Sequence, residues 1–138
     1  MAYEFDITES KKQVAEGRVS TTYRIREREI DPAVSANQWT LPIPDQATVT
    51  LMTSDVVAGL ATTIQPELGY VSEWTSGAAG HIDQAASASA NHRIAQLKLI
   101  DTHGGNVLYG RAVPNVATGT AVGWHVTTFI TISAGLVT

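Results

Sequence analysis

Cysteine is absent from this 138-residue chain, which excludes disulfides, iron–sulfur clusters, thiol nucleophiles and cysteine-ligated zinc. A positive excess is absent too. Nine Lys and Arg stand against thirteen Asp and Glu, and a net charge of −4 has the wrong sign for a nucleic-acid binder working through a broad positive field. No apolar run approaches the roughly 18 residues of a membrane span. The opening Met1–Asp6 is acidic and alternating, unlike a basic-then-apolar leader. The expectation is a soluble globular chain of one domain's size, with no nucleic-acid or membrane partner. There is no Gly-x-Ser-x-Gly elbow, dinucleotide fingerprint, P-loop or His-Glu-x-x-His. No enzyme activity, cofactor or bound metal is therefore expected.

Charge is also scarce over most of the length. Residues 1–31 hold 13 charged side chains and residues 32–138 only nine. The second figure is about 8%, against about 25% in an average globular domain. A body so poor in charge is expected to lay part of its surface against copies of itself or another protein. A surface served by Thr, Ser, Asn and Gln is the plainer alternative. Three segments follow: a charged N-terminal arm over 1–31, an extended link over 32–46 containing Pro42-Ile43-Pro44, and a body over 47–138.

What the chain does have is β-branched residues, 17 Thr, 13 Val and 10 Ile, punctuated by 11 Gly and 5 Pro. That mixture favours strands broken by turns. Apolar and polar residues alternate over Tyr3–Ile7, Arg18–Glu29, Ala47–Met52, Arg93–Ile100, Val107–Val113 and Val122–Ser133. Tyr70–Trp74 adds a short strand, and Gly59–Thr63 followed by Gln65–Gly69 reads as a strand or connection ending in a turn. Asp101–Asn106 reads as a hairpin turn. A weak helix is expected over 11–16, from a capping-box pattern at Ser10–Gln13 and a stop at Gly17. A helical turn within 82–90 is the other candidate. The last strand carries bulky groups on both faces and is expected to be central or covered on both sides. The fold class is all-β, a sandwich or jelly-roll-like body behind an extended charged arm.

Few residues suggest chemistry. His81-Ile82-Asp83 offers two metal ligands and lacks a third. His103 or His125 with Asp101 and a serine makes a nominal nucleophile–base set that any β-rich chain permits. Glu67 and Glu73, flanked by Tyr70 and Trp74, form a carboxylate pair of the type used on glycosides, on a turn-broken stretch. Trp39 and Trp74 border loops and are the candidate sugar-stacking rings, whereas Trp124 reads as core. A carbohydrate-binding or host-adhesion module is thus the alternative function. The candidate partner contacts lie in the arm. Arg24, Arg26 and Arg28 form a basic row suited to carboxylates on a neighbour, against the plain reading of a solvated strand face. Tyr3, Phe5 and Tyr23 sit on the two arm strands offered for addition to a neighbouring sheet.

The charged arm, the Pro-x-Pro link and the small Thr/Ala/Val-rich body together resemble the capsid decoration (cement) proteins of tailed bacteriophages. The stretches Asn106-Val-Leu-Tyr-Gly-Arg-Ala-Val-Pro-Asn and Val126-Thr-Thr-Phe-Ile-Thr-Ile-Ser-Ala-Gly are similar to viral structural β-domains. The resemblance is one of overall pattern and carries over no individual residue. It implies a non-enzymatic virion protein on the capsid surface, made in the host cytoplasm. It further implies a homotrimer that binds the major capsid protein or another shell protein and stabilises the assembled shell.

Overall fold

The computed structural model describes residues 3–34, 36–44, 47–57, 59–69, 81–84, 88–89, 91–94, 98–100 and 107–135; at Leu51 and within 81–100 the backbone alone is described. The strands are β1 (Glu4–Ala15), β2 (Arg18–Arg28), β3 (Trp39–Pro42), β4 (Ala47–Val56), β5 (Thr63–Gly69), β6 (His81–Gln84), β7 (Ala88–Ser89), β8 (Asn91–Ile94), β9 (Lys98–Ile100), β10 (Val107–Pro114) and β11 (Val126–Gly135). No helix occurs among the described residues. Two antiparallel sheets form a β-sandwich. One runs β1-β2-β11-β4-β8 with β9 also on β4, and the other runs β3-β10-β5-β6 with β7 also on β5.

The alternating pattern sorts residues between the inside and the outside. Ile25 of β2, Val49 and Met52 of β4, and Ile130 and Ile132 of β11 face inward from the first sheet. Trp39, Leu41, Leu68 and Leu108 meet them from the second in one core cluster. A second cluster, with Ile30, Val56, Ile64, Ala112 and Val126, fills the other end. Gly110 is opposite Trp39 across the β3–β10 pair, and a Cβ there would fall inside the indole ring. Gly110→Ala should therefore cost about 1–3 kcal/mol through overpacking, read as a lower melting temperature with an unchanged circular dichroism spectrum.

Two helix expectations are corrected. Residues 11–15 continue β1 rather than forming a helix, and Glu16-Gly17, at φ 52° and 75°, close a two-residue hairpin turn. Eleven rungs of pairing with β2 hold this segment extended, and a capping pattern has nothing comparable to offer. His81–Gln84 and Ala88–Ser89 are strand as well, so the second helical candidate fails where it is described. Pro66 lies inside β5, opposite Ala112. It is tolerated because β6 pairs with Glu67–Gly69 and β7 with Thr63–Ile64. The residue that cannot donate falls between the two neighbours. Tyr70–Trp74 and the turn at Asp101–Asn106 lie outside the described residues.

The boundary drawn at residue 31 follows no break in the fold. β2 lies between β1 and β11, paired with β11 from Arg18↔Gly135 to Glu27↔Val126, and Ile25 and Glu27 are fully buried. Only β1 keeps the character of an arm. It is an edge strand among the described strands, and its last eight residues, Thr8–Ala15, are all exposed. β11 is central, as the bulky groups on both of its faces suggested, yet among the described residues its outer face is not covered: Phe129 there is 41% exposed.

Candidate interaction surface

The outer face of the first sheet is built by the outward-pointing half of β1, β2, β11 and β4. Register places Thr8, Arg24, Phe129 and Thr53 in one row and Asp6, Arg26, Thr127 and Asp55 in the next. Hydroxyls dominate the rest of this face, where Thr22 and Thr131 are hydrogen bonded at 2.8 Å.

The arginine row does not act as a unit. Arg26 Nη2 donates to Asp6 Oδ2 at 2.8 Å and Arg28 Nη2 to Glu4 Oε1 at 2.7 Å, each across the β1–β2 pair. Both guanidinium groups also stand over the Trp124 ring, at 5.0 and 5.5 Å from its centroid. Trp124 is therefore a partly buried ring on this outer face and not a core residue. Arg24 is different. The residue opposite it on β1 is Thr8, and it has no acidic partner among the described residues; its buried Nε is unpaired, as are those of Arg26 and Arg28. It projects beside Phe129.

The three aromatic candidates face the other way. The Tyr3 hydroxyl donates to Glu27 Oε2 at 2.6 Å, and Tyr3 packs on the second core cluster. Burial, then the Glu27 carboxylate, pushes its phenol well above the ordinary tyrosine range. Phe5 is 39% exposed, with its ring 6.2 Å from that of Tyr3. Tyr23 lines an apolar cavity of about 270 Å³ with Val19, Ile43, Ile132 and the Lys12 chain. Burial, with Glu9 as the second cause, raises its phenol. The six expected partner contacts are thus split between two faces of the sheet.

The remaining candidates are structural where described. Trp39, expected as a sugar platform, is fully buried against Gly110 and offers no face to a ligand; Trp74 lies outside the described residues. His125 is buried and tied on both ring nitrogens. Nδ1 accepts from the Glu29 backbone N–H at 3.1 Å and lies 2.9 Å from the Thr118 hydroxyl, while Nε2 is 2.7 Å from the Ala121 carbonyl. This pattern holds the Nε2–H tautomer. The ring knots the end of β2 to the 115–125 loop and is not an accessible base. Glu67 accepts from Arg111 Nε at 2.6 Å and is buried; Glu73, His81, Asp83, Asp101 and His103 have no described side chain. Among the described residues, no cluster of three metal-binding side chains occurs.

Phe129 was missed by sequence reading, as was the Arg24–Phe129 adjacency, because 105 residues separate the pair in sequence and only the β2–β11 register joins them. No protein-family model matches the chain, and no curated protein matches it either.

Proposed function

We propose that the chain is a non-enzymatic structural protein of a virion, a decoration protein that seats on an assembled shell and stabilises it. The observation that carries this reading is Arg24, an uncompensated guanidinium beside a half-exposed Phe129 on a hydroxyl-lined face. Such a patch suits an acidic protein surface with an apolar spot at its centre, since aromatic and arginine side chains supply most of the energy of protein contacts. The resemblance to phage cement proteins supplies the partner, a major capsid or other shell protein, and the place, the capsid surface. Many weak contacts repeated over a symmetric shell add to strong attachment. The sugar-binding alternative loses its Trp39 platform and has no second observation in its favour.

Co-sedimentation with empty shells of the cognate tailed phage tests the proposal. Saturable binding that weakens with salt is expected. Arg24→Glu should weaken it by about tenfold or more, equivalent to about 1.4 kcal/mol, with an unchanged melting curve. Failure to co-sediment, or an Arg24→Glu protein that binds normally, sinks the reading.

A further inference from the structure

We infer that β1 is a self-recognition strand, through which two copies of this chain pair edge to edge in antiparallel fashion. β1 is an edge strand of twelve residues, with β2 as its one neighbour among the described strands. An open edge of this length is a template for another strand. The kind of strand it accepts is written in its own charges. The first half carries Glu4, Asp6 and Glu9, the second Lys11 and Lys12. An antiparallel second copy sets the acidic half of each strand against the basic half of the other, twice by symmetry. A parallel copy sets like against like. Opposite charges on facing strands stabilise a pair and like charges oppose it.

The side-chain register supports the same arrangement. One residue, Ser10, is extra in β1 where the pairing with β2 shifts between Glu9 and Lys11, and its hydroxyl donates to the Thr22 carbonyl at 3.1 Å. Allowing for that residue, a two-fold axis at Thr8 puts Asp6 opposite Lys11 and Phe5 opposite Lys12. It also brings Val14 diagonal to Phe5 of the second copy. Phe5 and Val14 are 39% and 61% exposed in the single chain. Asp6 and Glu4 each use one carboxylate oxygen on Arg26 and Arg28, leaving the other for a lysine. Lys12 has only a 3.9 Å approach to Glu9 at present.

A two-fold axis perpendicular to the sheet turns both outer faces the same way. Two Arg24–Phe129 patches then look toward one surface. The pair itself requires no shell, so it is measured apart from the shell reading and stands or falls separately.

The absence of native cysteine makes the test direct. Light scattering of the full chain at micromolar concentration should give twice the 14.7 kDa chain mass. Thr8→Cys should cross-link into a disulfide dimer on mild oxidation. Directly opposed antiparallel residues have Cα atoms about 4.5–5.5 Å apart, within the disulfide range of about 4.4–6.8 Å. Gln13→Cys should not cross-link, because eight rungs separate its two copies, roughly 27 Å. The double variant K11E/K12E should keep the parent's circular dichroism spectrum and a cooperative melt and run as a monomer, with its melting temperature no longer rising with protein concentration. A monomeric parent, a trimer, cross-linking through Gln13→Cys in place of Thr8→Cys, or a K11E/K12E dimer overturns the inference.

Discussion

The protein is expected to lose stability as pH rises from about 5 to 8, and Glu27→Gln is expected to abolish that loss. Glu27 is fully buried between the sheets. One of its oxygens accepts from Tyr3, and the other has no partner. Burial dominates, pushing the carboxyl from its ordinary 4.5 up to about 8, with the Tyr3 hydrogen bond pulling weakly the other way. Between those two values the folded chain holds a proton that the unfolded chain has released. Stability is then complete below about 4.5 and drains away as pH climbs toward 8. The slope is about 1.4 kcal/mol per pH unit, on the order of 4 kcal/mol over the window. Glutamine keeps the shape and stays neutral. Its variant should melt at nearly constant temperature across the window and well above the parent at pH 8. A parent whose melting temperature stays level or rises between pH 5 and 8 would show that the Glu27 carboxyl is not held protonated in the fold.

Deleting residues 1–31 is expected to abolish folding. Were that segment an arm lying on a partner, a chain beginning at Pro32 would keep its spectrum and its cooperative melt. It instead supplies β2, whose ten-rung pairing with β11 would be left open. Ile25 would vanish from the first core cluster and Ile30 and Tyr3 from the second. His125 would also lose its bonds to the Glu29 N–H and the Glu27 carbonyl. Loss of one fully buried aliphatic residue costs about 2–5 kcal/mol, against a total of about 5–15 kcal/mol for a typical domain. Removing a whole interior strand exceeds that margin. Circular dichroism and a thermal scan decide the matter, and a cooperative melt of the shortened chain would return residues 18–31 to the role of an arm.

Much was determined by the sequence alone. Its β-branched load and period-two alternation dictate a strand-rich fold with one face inward, because the pleat sends successive side chains to opposite sides. Ile25, Val49, Leu108 and Ile130 therefore belong to the core wherever their strands are placed. The lack of cysteine, and with it of any disulfide, is likewise a property of the sequence alone. Strand neighbours were a different matter. Whether a charged strand lies free or inside a sheet depends on pairing with residues a hundred positions away, and no local pattern encodes that partner. This is why Arg18–Arg28 read as an arm and proved to be interior, and why Arg26 and Arg28 found their carboxylates within the chain. Burial of polar groups is equally non-local. His125, Glu27 and Glu67 look like surface residues in sequence, and they are buried because hydrogen-bond partners from distant strands and loops converge on them. Only the register of the assembled sheets set Arg24 beside Phe129 and left β1 at the edge.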